Sequence, residues 1–325
     1  MTVALGVIGF GIMGERLLRA ALAHDSSVIR VAGIWDPAPE AADRLAAVVP
    51  ELKMMSSPDD VISGCDALYV ATPPASHLLY ARAGFAANRA VLLEKPLAEN
   101  LAAARAFVTA AEAHGERAAV NFPMASSPAV AQLAAWREAL GTPRALTIDA
   151  RFAAWPRGWQ SAAAGWLGQR AEGGFTREVL SHFLFLARRQ LGPLVLLEGH
   201  ATYPTGAGAE TAINASLTAG DVPVSITGSV GTTDRDELNE WRLEAEGGAI
   251  RLRDWSIAER QAPDGSWHTA PDALPNAEMR PMVLRGQLDK LAALTRGERV
   301  DLATLREALE VQEIVEAILA GAQTS

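Results

Sequence analysis

The first 120 positions alternate between short, almost wholly apolar runs and longer stretches with amphipathic spacing. The apolar runs cover residues 3–8, 28–35, 67–71, 90–93 and 118–122. Strands that are apolar on both faces and separated by helices are typical of a parallel sheet covered on both sides. The pattern therefore predicts an N-terminal α/β domain of the Rossmann type over residues 1–122.

A different pattern begins at residue 123. Strand-like runs with short Gly or Asp turns occupy residues 144–152, 194–203, 211–218, 222–230, 240–246 and 249–255. Consecutive strands joined by short turns predict an open, mainly antiparallel sheet, and hence a C-terminal α+β domain over residues 123–325. Helices predicted at 175–191, 282–296 and 302–320, the last capped by Asp301, are expected to cover one face of this sheet. The other face is then a surface for self-association.

A glycine-rich turn follows the first apolar run and reads Gly9-Phe10-Gly11-Ile12-Met13-Gly14. In a G-x-G-x-x-G turn the glycines allow a sharp bend, close approach of a pyrophosphate and tight packing of helix on strand. The helix N-terminus favours the phosphate charge. A glycine-containing turn before an ordinary helix is the simpler alternative, but Asp36 at the end of the second strand supports dinucleotide binding, because its carboxylate can accept hydrogen bonds from a ribose. Asp36 also favours NAD over NADP, while Arg44 leaves NADP open.

Two further segments end at the carboxyl edge of the predicted parallel sheet, where ligands bind in open α/β sheets. The third strand leads into Ala71-Thr72-Pro73-Pro74 with His77 nearby, and the fourth leads into Glu94-Lys95-Pro96. The prolines hold these exits extended. For Lys95 the alternative is a solvated loop lysine.

Glu178 and His182 stand four residues apart on the predicted helix after Gly173-Gly174. Residues at this spacing share a helix face, where a carboxylate can orient an imidazole as a proton acceptor. An ordinary surface pair is the alternative, although the apolar neighbours predict a mostly buried helix.

Composition excludes several classes of protein. The net charge of -9 argues against a nucleic-acid-binding surface. The single cysteine, Cys65, cannot form an intrachain disulfide, and we expect a reducing, cytoplasmic environment because neither a signal peptide nor a membrane-spanning run is recognised. The histidines are scattered without metal-ligand spacing, so no metal site is expected.

These motifs together resemble the glucose-fructose oxidoreductase / inositol dehydrogenase (Gfo/Idh/MocA) family, and Glu94-Lys95-Pro96 is the most specific of them. The resemblance implies hydride transfer between NAD or NADP and a sugar or polyol, with Lys95 as the catalytic lysine, His182 as the proton acceptor and Glu178 orienting it. It also implies homodimers or homotetramers formed through the open sheet. The residues expected to contact the cofactor are Gly9, Phe10, Gly11, Ile12, Met13, Gly14, Asp36, Ala71, Thr72, Pro73, His77, Glu94 and Lys95.

The chain departs from the family pattern at several positions. Glu178 replaces the usual Asp of the catalytic helix, Phe185 replaces a further Asp, and Asn121-Phe122-Pro123 replaces Asn-Tyr-Arg. These changes leave the substrate open. Two alternatives to a dehydrogenase also remain: a regulatory protein that binds NAD(P) without catalysis, and an NAD-assisted glycoside hydrolase.

Overall fold

The computed structural model describes residues 1–321 and divides the chain into two compact units. The first unit comprises Met1–Ser126 and Pro281–Leu309, and the second comprises Ser127–Arg280 and the chain from Glu310 onward. The first break lies close to the predicted boundary at residue 123. The second unit is not continuous in sequence, because the segment Pro281–Leu309 belongs to the first unit.

The first unit contains the predicted parallel sheet, with strand order β2-β1-β3-β4-β5. Its strands are β1 (Val3–Ile8), β2 (Ile29–Trp35), β3 (Ala67–Val70), β4 (Ala90–Leu93) and β5 (Ala118–Val120). The intervening helices are α1 (Ile12–Leu22), α2 (Glu40–Val48), α3 (Pro58–Gly64), α4 (Pro74–Ala86) and α5 (Leu101–Ala113). Helix α3 was not predicted; it is a short helix that begins at Pro58, with the Ser57 hydroxyl accepting from the Asp60 N–H.

The second unit is built on an eight-stranded sheet in the order β13-β12-β11-β10-β6-β9-β8-β7. Its strands are β6 (Pro143–Phe152), β7 (Leu194–Thr202), β8 (Ala212–Ala219), β9 (Val222–Val230), β10 (Glu237–Ala245), β11 (Gly248–Arg253), β12 (Ile257–Gln261) and β13 (Trp267–Thr269). Neighbouring strands of this sheet pair antiparallel, except for β6 and β9, which run parallel. The fold class is confirmed, and β12 and β13 extend the sheet beyond the predicted strands.

The helices of the second unit include α6 (Pro128–Glu138), α7 (Ala164–Leu167) and α8 (Ser181–Leu191), and a π-helical turn at Thr176–Leu180 directly precedes α8. Alternate residues of β9 are buried, for example Val224 and Ile226, while their neighbours are exposed. Such alternation shows that one face of the sheet is covered and the other is open.

Helix α9 (Asn276–Thr295) differs from its predicted role as a cover for the C-terminal sheet. Its residues Leu284, Leu288 and Leu291 belong to the same buried cluster as Leu5 and Leu17 of the first unit. Apolar spacing alone identifies a packed helix but not the sheet on which it packs, so this assignment was wrong.

The last helix, α10 (Leu305–Leu319), begins four residues after the predicted cap. Thr304 and Glu307 form reciprocal hydrogen bonds at its start: the Thr304 N–H donates to the Glu307 carboxylate (2.9 Å), and the Glu307 N–H donates to the Thr304 hydroxyl (3.1 Å). This is a capping box. The carboxylate of Asp301 instead pairs with Lys290 at 2.8 Å.

Candidate active site and cofactor site

The glycine turn after β1 is tightly packed at two positions, against the neighbouring loop at Gly9 and against the turn's own backbone at Gly14, and is open at a third. Gly9 has φ of +98°, and a Cβ there would lie 2.5 Å from the Ala71 carbonyl; a Cβ on Gly14 would lie 2.1 Å from the Gly9 oxygen. No atom lies within 4 Å of a Cβ built on Gly11. Gly11 is also the N-cap of α1, and no side chain caps this helix. The turn therefore offers free space beside uncapped helix N–H groups, which suits a phosphate.

The Asp36 carboxylate fixes the shape of this turn. One oxygen accepts from the Phe10 N–H (2.6 Å) and the other from the Ala38 N–H (2.8 Å). On the same turn, Arg44 Nη2 donates to the Phe10 carbonyl at 2.8 Å. Because a carboxylate offers about four acceptor positions, Asp36 retains acceptor capacity for ribose hydroxyls.

His77 joins the two loops that leave β3 and β4. Its ring is fully buried, with Nε2 at 2.6 Å from the Thr72 carbonyl and Nδ1 at 2.8 Å from the Pro96 carbonyl. Burial is the main cause of a lowered pKa for His77. The peptide bond that precedes Pro96, between Lys95 and Pro96, is cis. The imidazole thus connects the Thr72 loop to the segment that carries Lys95.

Glu94 lies inside a buried polar network beside Lys95. Its Oε1 accepts from the Tyr69 hydroxyl and from Asn121 Nδ2, the latter at 2.6 Å. Asn121 Oδ1 in turn accepts from Gln287 Nε2 at 2.8 Å. Burial raises the pKa of Glu94, partly offset by these hydrogen bonds and by the charge of Lys95. Sequence reasoning missed Tyr69, Asn121 and Gln287 as site residues, although a tyrosine in an otherwise aliphatic strand is a usable signal.

A helical irregularity contains Glu178 and ends two residues before His182. Glu178 is half-buried in the π-helical turn, whereas His182 lies at the start of α8 with 9% exposure. In a π turn the backbone hydrogen bonds join residues five apart, and such turns often occur at functional sites. The Thr176 N–H, at the start of the turn, donates to the buried Glu210 carboxylate at 2.7 Å. Burial is the main cause of a raised pKa for Glu210.

Trp255 is the aromatic neighbour of His182. The two ring centroids lie 5.4 Å apart at an interplanar angle of 75°. The Trp255 indole N–H donates to Glu237 Oε1 at 3.0 Å. Sequence analysis identified Trp255 only as the last residue of a predicted strand. Its contact with His182, more than seventy positions earlier, leaves no local signal in the sequence.

Residues 1–321 contain no group of three or more His, Cys, Asp and Glu side chains arranged to hold a metal ion. Over that same range, none of the helices has both the length and the apolar character needed to cross a membrane.

Comparison with known proteins agrees with this geometry. Residues 3–122 match an oxidoreductase family with an NAD-binding Rossmann fold, Gfo/Idh/MocA. An inositol 2-dehydrogenase from Cereibacter sphaeroides is 32% identical over 118 residues, and this match spans 36% of the present chain and 35% of the relative.

Two solved structures resemble the chain along nearly its whole length. An oxidoreductase from Thermotoga maritima has a TM-score of 0.81 at 16% identity, covering 99% of this chain and 97% of its own. An oxidoreductase from Agrobacterium radiobacter, crystallised with NAD+, L-tartaric acid and magnesium, has a TM-score of 0.80 at 18% identity, covering 98% of this chain and 96% of its own. At these identities the likeness shows a shared fold.

The glycine turn, the anchored Asp36 and the sequence match all fall within one segment. Over residues 3–122 the chain therefore matches the NAD-binding, Rossmann-fold oxidoreductase family Gfo/Idh/MocA.

Proposed function

We propose that the protein is an NAD-dependent oxidoreductase that transfers a hydride between nicotinamide and a carbinol or carbonyl carbon of a sugar, polyol or related small molecule. The observation that carries this proposal is the turn at Gly11, where free space adjoins an uncapped helix N-terminus next to the anchored Asp36. Inositol 2-dehydrogenase, named among the relatives, supports a polyol-like substrate.

Cofactor binding is assigned to the edge residues of the first unit. Phe10 to Gly14 would surround the pyrophosphate with main-chain N–H groups, and Asp36 would accept hydrogen bonds from the adenosine ribose. Thr72 and Pro73 would line the nicotinamide side, together with Glu94 and Lys95. We assign His77 a supporting part, because its buried ring holds the loops on either side through the Thr72 and Pro96 carbonyls.

Catalysis is assigned to three side chains. In the oxidation direction His182 takes the proton of the substrate hydroxyl, and the Lys95 ammonium stabilises the alkoxide that develops. Glu178 orients the imidazole. Bound NAD would supply the hydride-accepting C4 of its nicotinamide ring.

A substitution at Lys95 tests the proposal. Replacing Lys95 with Met removes the ammonium but keeps a flexible side chain of similar length, so NAD affinity should persist while turnover falls by about 100-fold or more. Lys53→Met, at an exposed lysine of the same unit, is the matched control. The assay follows NADH absorbance with a panel of aldoses, polyols and keto-sugars. Unchanged turnover in Lys95→Met would remove Lys95 from the mechanism.

Cofactor choice is tested separately. The Asp36 carboxylate should repel the 2′-phosphate of NADP. Asp36→Ser should therefore lower the ratio of NAD affinity to NADP affinity. Affinities for both cofactors, measured by tryptophan fluorescence, compare the variant with the wild type. An unchanged ratio would contradict the assignment of Asp36 to the ribose.

We also propose a cytoplasmic homodimer or homotetramer assembled through the open face of the C-terminal sheet. The edge strand β7 exposes Val195 and Leu197, and apolar groups at a surface favour association. Burial raises the pKa of the only cysteine, Cys65, to about 11, which suits an inert thiol in a reducing compartment. Light scattering of the wild type and of Leu197→Asp tests the assembly; a monomeric wild type would overturn it.

A further inference from the structure

We infer that Trp255 is a positioning residue for the proposed reaction: its indole ring fixes the plane of the His182 imidazole, and a strained turn of the second unit presents that ring. This inference rests on the proposed function, in which His182 takes the proton of the substrate hydroxyl. It deepens that function by adding a residue from outside the helix that carries His182.

The indole of Trp255 lies against the first residues of α8. Its ring centroid is 5.4 Å from that of His182, and the two ring planes meet at 75°. The same indole lies 5.1 Å from the ring of Phe183, at an angle of 38°. Aromatic rings attract each other at centroid separations of about 4.5–7 Å, and edge-to-face contact is a preferred arrangement. Trp255 therefore restrains two consecutive side chains at the start of the helix, one of them the proposed proton acceptor.

Trp255 occupies a turn position that disfavours a bulky side chain. The turn joins β11 to β12, and the Ser256 N–H closes it by donating to the Arg253 carbonyl at 3.1 Å. Its two central residues both have positive φ, +47° at Asp254 and +72° at Trp255. These are the features of a type I′ turn, in which Asn, Asp and Gly dominate the central positions. Asp254 agrees with this preference, whereas Trp255 strains the backbone.

Asn239 imposes this backbone conformation. Its carbonyl accepts from the Asp254 N–H, and its side-chain oxygen accepts from the Trp255 N–H, each at 3.0 Å. Asn239 is itself buried. Bulky residues keep left-handed conformations only where the surrounding structure imposes them, and such positions cluster at active and ligand sites. The ring contact with His182 gives this strained position a function.

A second anchor holds the indole ring. Its Nε1–H donates to Glu237 Oε1 at 3.0 Å, and Glu237 Oε2 pairs with Arg157. Arg157 is buried and also donates to Gln160 at 3.0 Å. Both oxygens of Glu237 are thus engaged, which makes it a fixed acceptor. The protein therefore sets the orientation of the indole at its backbone and at its ring nitrogen.

A fixed aromatic neighbour matters because the plane of an imidazole rotates easily. The χ2 torsion of histidine joins a tetrahedral carbon to a planar ring and has broad energy wells. A general base must hold its ring nitrogen within hydrogen-bond reach of the proton that it takes. An edge-to-face contact with the fixed Trp255 ring limits rotation of the His182 ring. A misplacement of about 1 Å can lower the rate by about 100-fold, so we expect loss of the contact to reduce turnover.

Replacing Trp255 with Gly separates the ring from the turn. Trp255→Gly removes the indole and gives the turn the Asp-Gly pair that type I′ turns prefer. The turn should therefore still form, while kcat should fall by about 10- to 100-fold and KM and NAD affinity should change by less than about threefold. The assay follows NADH absorbance with a compound of the panel that the wild type oxidises.

Two further substitutions at this position support the comparison. Trp255→Phe keeps an aromatic ring against His182 and should recover part of the lost turnover. Trp255→Asn is a second variant without a ring, because Asn also tolerates positive φ. It should lose turnover to the same extent as Trp255→Gly, and it provides the measurement if Trp255→Gly does not fold.

Two matched controls leave the indole in place. Asp254→Gly relieves the other positive-φ residue of the same turn, and its exposed ion pair with Arg235 contributes little to stability. Trp136→Leu removes another half-buried tryptophan of the same unit. Both controls should keep kcat within about twofold of the wild type, and circular dichroism shows whether each variant is folded.

A double-mutant cycle assigns the effect to His182. Trp255→Gly should lower kcat in the wild-type background but change the residual activity of His182→Ala by less than about twofold, because the residue through which Trp255 acts is then absent. An equal loss in both backgrounds would show that Trp255 acts elsewhere and would overturn the inference.

Nuclear magnetic resonance of the imidazole gives a readout that needs no turnover. The ring current of the indole displaces the ring-proton signals of His182, which are assigned among the six histidines by their absence in His182→Ala. In Trp255→Gly these signals should move towards the positions of an exposed histidine. In Asp254→Gly they should stay where they are in the wild type.

The outcomes separate this inference from the proposed function. Unchanged kcat in the ring-free variants, a rise in KM with kcat unchanged, or unmoved His182 signals would each overturn the positioning role while leaving the dehydrogenase proposal in place. Displaced His182 signals in Trp255→Gly, with no NADH formed by the wild type from any compound of the panel, would support the ring contact and contradict the proposed reaction.

Discussion

The glycine turn offers a pair of substitutions that separate folding from cofactor binding. Gly14→Ala places a methyl group 2.1 Å from the Gly9 carbonyl oxygen, whereas real Cβ contacts do not fall below 3.0 Å. The contact must therefore open by at least 0.9 Å, the difference between these two values. Gly11→Ala places its methyl group where no atom lies within 4 Å.

The magnitudes follow from packing. Inserting a methyl group into a close contact costs about 1–3 kcal/mol. The upper end of this range applies here, because the added methyl meets the Gly9 backbone oxygen rather than a movable side chain. Replacing glycine in a helix recovers up to about 1 kcal/mol, which leaves a net loss of about 2 kcal/mol. For a unit of this size that lowers the melting temperature by about 4–8 °C. Gly11→Ala should change stability by less than about 0.5 kcal/mol, yet weaken NAD binding by about 10-fold or more, since the second glycine lets the pyrophosphate approach the main chain.

The assays are thermal unfolding by circular dichroism and NAD titration by calorimetry, each on both variants and the wild type. A Gly14→Ala protein with an unchanged melting temperature would show that α1 relaxes away from the turn without loss. A Gly11→Ala protein with wild-type NAD affinity would show that the pyrophosphate does not bind at this turn.

Three further predictions concern stability. Leu288→Ala should destabilise the first unit by about 2–5 kcal/mol, because Leu288 is fully buried in its core; urea unfolding should show this loss and should show none for Leu79→Ala, whose side chain is 64% exposed. Burial raises the pKa of Glu94 above its ordinary value of 4.5, so the stability that its protonated form contributes is lost as pH rises above that value. In unfolding titrations, the stability of Glu94→Gln should therefore increase relative to that of the wild type as pH rises above 4.5, and a difference that does not change with pH would contradict this. The guanidinium of Arg253, together with Arg251, lowers the pKa of Glu259 to about 2. The stabilisation by the Glu259 carboxylate is therefore present above about pH 4.5 and is lost as pH falls towards 2. In urea unfolding, the loss of stability in Glu259→Gln relative to the wild type should shrink over that pH interval, and a loss that stays constant would contradict the ion pair.

The sequence predicted the features that depend on local pattern. Apolar runs and glycine placement identified the parallel sheet and its carboxyl edge, and turn residues identified the antiparallel sheet. These signals are local. A strand buried on both faces requires apolar residues at its own positions, and a backbone position with positive φ favours glycine at that position.

The features that sequence reasoning missed depend on contacts between distant positions. Gln287 reaches Asn121 across 166 residues, and Leu288 joins a core whose strands lie at the other end of the chain. Trp255 meets His182 only through the fold of the second unit. The π-helical turn at Thr176–Leu180 was also not predicted, because an inserted residue in a helix leaves no strong mark in hydrophobic spacing.

An isotope label on the substrate can follow the proposed hydride transfer to NAD. A polyol or sugar that is turned over should be prepared with deuterium at the carbon that bears the reacting hydroxyl, and the cofactor analysed by mass spectrometry after one turnover. We expect one deuterium in the NADH formed, with the transfer strongly slowed in Lys95→Met and unaffected in Lys53→Met. NADH without deuterium, or product formed with the cofactor unchanged, would contradict it.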